Sequence, residues 1–317
     1  MTLDILTFGE AIVEVMRVDV DQPLDQPALF SGPYASGAPF IFAAQAARLG
    51  LRSACIGAIG DDAFGRLFLR HLKEDGVDTR AVFTLDGYTT GVAFIAYSSD
   101  GSRDYVFHMR HAASGQLSPD MLREEWFDGL KVLHITGSSL AMSDAAMAVG
   151  HTALTLAQQY GAKISFDPNI RPQLMPLNRV REAFAPFVEA ADVLLPTLEE
   201  ALLLTEQTTE TGAIAHFLTM RDKIVALTRG VDGCTIYTRI SAIDVPAYSV
   251  EEIDPTGAGD CFDAGFLSRW LRGDRLEDAA RFANACGAIA VSERGPMAGA
   301  RSVGEVQRFI ASHTPSP

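Results

Sequence analysis

Short, nearly unbroken apolar runs alternate with longer amphipathic stretches along the chain, the pattern of strands followed by helices. Leu3 to Phe8 predicts a buried strand ending at Gly9-Glu10, and Ala11 to Val18 continues extended, with Ile12 and Met16 an even number apart. Residues 19–27 are polar and contain proline, which predicts a loop, and Phe30 to Gly37 predicts a turn feeding a helix over Pro39 to Leu49 that stops at Gly50. Ser53 to Ile59 predicts a strand, and Asp61-Asp62 opens a helix to about Glu74, closed by Gly76-Val77-Asp78. Gly91 to Tyr97 and Asp104 to His108 read as strands around Ser99-Asp100-Gly101-Ser102, a strong hairpin signal.

Alternation then resumes. Strands are expected at 131–136, 163–167, 193–195 and 223–228, with helices over 143–160 and 178–191 and one following Glu199-Glu200. Cys234 to Tyr237 and Ile243 to Tyr248 read as antiparallel additions. Helices near 261–271, 276–292 and 303–310 close the chain, and the tail 313–317 is expected to fray. Strands alternating with helices predict a mostly parallel sheet covered on both faces, with ligands beyond the carboxyl ends of its strands. The hairpin at 91–108 interrupts this order, and its pattern suits a small β lid as well as an edge hairpin of the main sheet.

Composition narrows the picture. At 317 residues, with 48% hydrophobic side chains, the chain fits one large α/β domain, alone or with a small appendage. A net charge of −14 argues against nucleic acid or an acidic membrane as partner, since both want a basic face. The four cysteines show no Cys-x-x-Cys spacing, which suits a reduced, cytoplasmic protein. No secretory leader is expected from the first residues, and no apolar run approaches the roughly 20 residues of a spanning helix.

The densest chemistry lies in Asp254-Pro-Thr-Gly257-Ala258-Gly259-Asp260-Cys-Phe262. An acidic extended run enters a glycine turn and a helix follows, predicted to be apolar on one face through Phe262, Phe266, Leu267 and Trp270. Glycines let a ligand approach the backbone, and the first N–H groups of a helix favour an anion. Asp260 in that turn reads either as a simple helix cap or as a base that removes a proton while the backbone holds developing negative charge. Thr228-x-Gly230-x-x-Gly233 reads as a tight turn or as flexible backbone near a nucleotide. Arg229 reads as a surface charge or a phosphate contact. Glu199 suits a helix N-terminus, while Glu200 could hold a hydrated Mg2+ through water. Arg171, in Asp167-x-Asn169-x-Arg171, could clamp a substrate carboxylate, hydroxyl or phosphate.

Together these segments resemble the ribokinase-like carbohydrate kinases, in the family's order. Gly9-Glu10, Ser36-Gly37-Ala38-Pro39, Gly57-x-x-Gly60-x-Asp62-x-x-Gly65, Asp167-x-Asn169-x-Arg171, Glu200, Thr228-x-Gly230-x-x-Gly233, Asp254 to Asp260 and Ala283-Asn284-Ala285 carry the resemblance, over residues 3–312. It implies a three-layer α/β/α sandwich in a single domain over 1–317, with a β lid from about 12–36 and 88–110. It also implies ATP-dependent phosphorylation of a sugar hydroxyl: Asp260 as base, the N–H groups of Gly257, Ala258 and Gly259 as anion hole, and Thr197, Thr228, Gly230, Gly233 and Asn284 along the ATP. Mg2+ near Glu200 and a monovalent cation such as K+ near Asp254 belong to the same expectation.

The departures bear on substrate. Ser36 replaces the first glycine of a Gly-Gly pair, Ile41 replaces an asparagine that ribose-type members set on the sugar, Glu14 replaces an aspartate and Thr197 an asparagine. Glu14, Ser36, Gly37, Ile41, Arg171 and Asp260 are the expected sugar contacts. A ketohexose such as tagatose or fructose ranks first, and 2-keto-3-deoxygluconate second because Arg171 is similar to an arginine those kinases set against a carboxylate. A nucleoside kinase, with Phe40, Phe42 and the 105–108 strand as base slot, and a non-catalytic sugar or nucleotide sensor are the alternatives. A dinucleotide dehydrogenase is disfavoured because Gly9-Glu10-Ala11 follows the first strand. Alternation of Val92, Phe94 and Ala96 suggests a homodimer through the lid.

Overall fold

The computed structural model describes residues 2–315. In chain order the elements are β1 (Ile5–Phe8), β2 (Ile12–Arg17), β3 (Phe30–Ser36), α1 (Ala38–Arg48), β4 (Ser53–Gly60), α2 (Ala63–Asp75), β5 (Val82–Leu85), β6 (Gly91–Tyr97) and β7 (Arg103–His108). Then come β8 (Val132–Thr136), α3 (Gly137–Ala141), α4 (Asp144–Gln159), β9 (Lys163–Asp167), α5 (Leu177–Ala190), β10 (Val193–Leu194), α6 (Leu198–Thr205) and α7 (Glu210–Met220). The chain ends with β11 (Ile224–Thr228), β12 (Cys234–Tyr237), β13 (Ala242–Val245), α8 (Ala258–Trp270), α9 (Leu276–Val291) and α10 (Val303–Ser312).

The nine-stranded main sheet has the order β13-β12-β11-β10-β9-β8-β1-β4-β5, parallel except for the antiparallel additions β12 and β13. Its strands are apolar on both faces because both faces are covered. Leu6, Phe8, Leu133, Ile135 and Phe166 pack with Phe184 and Phe187 of α5 on one side. Ile5 and Val132 pack with Phe42 of α1 and with Phe262 and Phe266 of α8 on the other. From β1 the chain builds outward to β4 and β5, then returns to β8 on the opposite side of β1. This reversal opens a crevice at the carboxyl ends of β1 and β8, where a doubly wound sheet accepts ligands.

The second sheet has the order β3-β2-β6-β7. The 91–108 hairpin therefore pairs with β2, not with an edge of the main sheet. Phe30 to Ser36, expected as a turn, forms β3 instead, because its antiparallel pairing with β2 supplies the ladder that its proline and small residues do not suggest. Asp62 ties this sheet to the body: it caps α2 through Gly65 N (2.8 Å) and accepts Thr90 N (2.7 Å) just before β6. Ile12, Ala93 and Met109 pack on Met142 and Ala146 beneath it.

Three further expectations change. β5 has no counterpart among the expected strands; its four residues pair only with β4 at the sheet edge. The single helix expected after Glu200 is two, α6 and α7, separated at Glu206, which takes the left-handed conformation at the end of α6 (φ 56°). In α8 the residues from Asp260 to Ser268 are all buried, so this helix is covered all round by α1, α9 and the sheet and is not amphipathic. The tail is described to Pro315, which pairs with Tyr248, and the rest of the expected frayed segment lies outside the described residues. Among the described residues no helix is long and apolar enough to cross a membrane.

Candidate active site

Gly257 is the N-cap of α8 in the left-handed conformation (φ 83°), where a Cβ would stand 2.6 Å from Pro296 O. A side chain there would meet both backbone strain and a clash. Around Gly259 the reverse holds: a Cβ would meet nothing within 4 Å, so the turn faces open space on that side. Ile41, expected to face the sugar, is only 2% exposed and packs under Gly257. It supports the turn from below.

Asp260 does not cap the helix: α8 has no side-chain cap hydrogen bond. The residue is 7% exposed, and its Oδ1 is buried without a hydrogen-bond partner. Burial pushes its pKa up to about 7, the Arg171 guanidinium pulls it down and Glu10 pushes it up. A buried carboxylate poised near neutrality with a free oxygen fits a general base better than a structural cap.

Several predicted residues converge on it. Glu14 on β2 is buried; burial raises its pKa to about 7, opposed by Ser36 and reinforced by the negative charges of Asp254 and Asp260. Ser36 Oγ donates to Glu14 Oε1 at 2.7 Å. Gly37, which follows β3, fits its backbone against Glu10 O, where a Cβ would stand 1.9 Å away. Arg171 follows β9, is half-buried and forms no ion pair among the described residues; its Nη1 donates only to Ile170 O (3.1 Å).

Thr197, Thr228, Gly230 and Gly233 lie beyond the carboxyl ends of β10 and β11, and Asn284 reaches from α9 to the end of β13. Thr197 and Thr228 are joined by a parallel bridge, Gly230 is open, and Gly233 (φ 89°) abuts Val245 O. Asn284 donates its amide to Val245 O and Pro246 O, both at 3.0 Å, which leaves its side-chain oxygen free of those bonds. Glu200 stands between the two groups: Oε1 accepts Ile170 N (2.7 Å) and Oε2 accepts Thr197 N (2.9 Å) in a capping box on α6. Both oxygens are thus already bonded, which suits contact with a metal through water better than direct ligation. Among the described residues no three His, Cys, Asp or Glu side chains gather as a metal cage. Asp254 is likewise committed, accepting Tyr97 OH (2.8 Å), Thr256 N (3.0 Å) and Gly295 N (2.9 Å).

Some expectations fail here. Of the two readings of Arg229 the phosphate contact is the weaker, because its guanidinium is engaged by Glu210 (2.7 Å) and Thr235 (2.8 Å). Phe40 and Phe42 are fully buried, Phe40 against Phe68 and Phe42 stacked on His134, so neither offers a face to a nucleobase. Three further residues belong here: Glu10, read only as part of the Gly9-Glu10 motif, Tyr105, read only within a candidate base slot, and Arg103, which the sequence reading did not single out. Glu10 is buried in the crevice between β1 and β8, accepting Ser138 Oγ (3.0 Å) and Ser139 Oγ (2.6 Å), and burial raises its pKa. Arg103 and Tyr105 line the small sheet, with Arg103 near enough to Glu14 to favour its ionised form. The alternation Arg103, Tyr105, Phe107 was the available signal for a lined inner face.

A doubly wound sheet with a second, smaller sheet beside its carboxyl edge is the ribokinase-like fold. Comparison with known proteins agrees. Residues 3–302 match the pfkB family carbohydrate kinase family. The chain is 33% identical over 304 residues to "Probable fructokinase-3" of Arabidopsis thaliana, covering 92% of this chain and 87% of that one. The E. coli "putative Ribokinase II", solved in complex with ATP and Mg2+, superposes with a TM-score of 0.92 at 39% identity, over 99% of this chain and 100% of that one. Fructokinase from Vibrio cholerae O395, in fructose, ADP and calcium ion bound form, gives a TM-score of 0.82 at 27% identity over 97% and 99%. The chain belongs to the pfkB family and is an ATP-dependent carbohydrate kinase.

Proposed function

We propose that the enzyme transfers the γ-phosphoryl group of ATP to a hydroxyl of a ketohexose such as fructose or tagatose. The observation that carries this reading is Asp260, which has a free oxygen and follows directly on the turn Gly257-Ala258-Gly259, open at Gly259. Asp260 takes the hydroxyl proton as the sugar oxygen bonds to the γ-phosphorus and the bond to the β-phosphate oxygen breaks, releasing ADP. The N–H groups of Gly257, Ala258 and Gly259 hold the charge on the transferring group, since positioning and charge stabilisation supply most of phosphoryl-transfer catalysis. Glu14, Ser36 and Gly37 meet the sugar. Thr197, Thr228, Gly230, Gly233 and Asn284 line the nucleotide. Mg2+ held by the phosphates, with water-mediated support from Glu200, would neutralise phosphate charge. K+ near Asp254 would rest on neighbouring carbonyls, because three protein donors already use that carboxylate.

In this reading the chain is one domain, and the small sheet, within about 12–36 and 88–110, is its lid. The outer face of the lid docks a second copy. Fructokinase relatives support the ketohexose. The unpaired Arg171 beside Asp260 and Glu10, with Arg103 across the site, supports a second reading, 2-keto-3-deoxygluconate, in which a carboxylate meets one of these cations.

A coupled ADP-release assay over ketoses, aldoses, nucleosides and 2-keto-3-deoxy acids decides among these. Fastest turnover of a nucleoside would overturn the proposal. Asp260→Asn is expected to reduce turnover by at least about a thousandfold with ATP binding retained. Near-normal turnover in that variant, or a wild-type protein that binds sugar and ATP without turnover, would remove Asp260 as base.

A further inference from the structure

Tyr97 is the last residue of β6, in the small sheet, yet its hydroxyl is bonded into the turn that opens α8. It donates to Asp254 Oδ1 at 2.8 Å and lies 2.8 Å from Thr256 Oγ1, which completes the bond from the other side. Burial and the Asp254 carboxylate keep that hydroxyl protonated. Asp254 in turn accepts Thr256 N and Gly295 N, fixing the backbone immediately before Gly257. Tyr97 is thus a direct side-chain tie between the sheet that carries Glu14 and the loop that shapes the anion-binding turn. Glu14 and Tyr97 ride on adjacent paired strands, β2 and β6, so displacing the sheet from the body would strain both together.

We infer that Tyr97 is a positioning residue that couples the seating of the small sheet over the sugar to the order of the Gly257–Gly259 turn. With the sheet seated, the hydroxyl holds Asp254 and Thr256, and the backbone N–H groups of the turn point where phosphoryl charge develops. With the sheet displaced, Asp254 loses one of its three donors and the turn loosens. Transfer is thereby favoured when sugar is under the sheet, and water gains less from a half-formed turn. This inference rests on the proposed role of the Gly257–Gly259 turn.

The test uses the full chain and its Tyr97→Phe, Thr256→Val and double variants, assayed with ATP and whichever of fructose, tagatose or 2-keto-3-deoxygluconate the wild type turns over fastest. Tyr97→Phe is expected to lower kcat about tenfold, as loss of one hydrogen bond to a charged group does. The KM values should stay within about twofold and melting should be little changed. The double variant should lose no more than Tyr97→Phe, because removing the Tyr97 hydroxyl already breaks the one contact that Thr256→Val breaks. Amide exchange without substrate gives a second readout, with residues 254–259 exchanging several-fold faster in Tyr97→Phe. Unchanged kcat with unchanged exchange overturns the inference, as do additive losses or a loss confined to KM or melting temperature. Asp260→Asn is run alongside: if it retains turnover the proposed base fails, whereas a dead Asp260→Asn with a wild-type-like Tyr97→Phe removes only the coupling.

Discussion

Ser36 donates a 2.7 Å hydrogen bond to Glu14 across neighbouring strands of the small sheet, while the second oxygen of Glu14 is buried with no protein partner. The serine holds the carboxylate in one orientation and leaves its other oxygen available to a sugar hydroxyl. Glu14 stands where the resemblance implies an aspartate and Ser36 where it implies a glycine, and in this chain the hydroxyl steadies the longer carboxylate. Ser36→Ala should raise the sugar KM several-fold, in line with ~1–3 kcal/mol for leaving a buried acceptor unsatisfied. The ATP KM should hardly move. Steady-state kinetics with each substrate varied in turn checks this, and a selective rise in the ATP KM contradicts it.

The acid limb of the rate profile follows from two carboxyls. Asp260 and Glu14 both have pKa values raised to about 7, chiefly by burial. A base must be ionised to act, so kcat/KM should rise as pH increases through about 7 and flatten above it. If both groups must be ionised, the limb is steeper than tenfold per pH unit. Glu14→Gln removes one ionisation and one like charge, so its limb should become tenfold per unit with a midpoint at lower pH. A limb unmoved in steepness and midpoint would separate Glu14 from the site.

The same burial makes Asp260 costly to the fold. Its pKa is raised in the folded protein, so between about 4 and 7 the unfolded chain loses this proton first and the folded state holds it. The unfolded state then binds fewer protons, and this group's contribution to stability falls as pH rises through that window. Asp260→Asn carries no charge to bury. It should therefore melt a few degrees above the wild type at pH 8, and the gap should shrink towards pH 4, where the folded carboxyl is neutral and the unfolded one, with an ordinary pKa of 3.8, is regaining its proton. Calorimetry at the two pH values is the check. A gap equal at both, or larger in acid, goes against a buried ionisable Asp260.

Much of this was legible in the chain because local chemistry and tertiary position agree. The turn Gly257-Ala258-Gly259-Asp260 announces itself by glycine spacing, and the strand–helix alternation fixes the main sheet, as the parallel register of β1, β4, β8 and β9 bears out. What was not legible depends on partners distant in sequence. β3 exists because β2 pairs with it, although residues 30–36 carry turn-like composition. Ile41 and Phe42 sit in a motif that suggests ligand contact, but α1 is wedged between the sheet and α8 and buries both. Tyr97 gave no signal of its own, because its partner Asp254 is 157 positions away. Glu200 had a recognisable helix-start position, yet only the structure engages both its oxygens with backbone N–H groups from two loops.

The outward face of the small sheet leads to the last prediction. On β6 the side chains alternate, Gly91, Ala93 and Ile95 inward and Val92 and Phe94 outward, where Phe94 meets the edge of Phe30. On β7 the outward positions are Asp104, Val106 and His108, with Val106 42% exposed. Phe30 on β3 is 39% exposed and covered on one side by the Arg17 guanidinium, 4.0 Å from its ring. Asp104 and His108 lie at the margin of this face, but Phe30, Val92, Phe94 and Val106 form an apolar middle where a solvent-facing sheet is normally polar. A second copy laid on the same face would bury Phe30, Val92, Phe94 and Val106 against their own equivalents, the self-complementary arrangement of a twofold dimer. Sedimentation at micromolar concentration should show a dimer. Val106→Asp should give a monomer that keeps its melting transition, because the substituted side chain points away from the core. A wild type that sediments only as monomer, or a Val106→Asp variant that remains dimeric, would rule out this face as the contact.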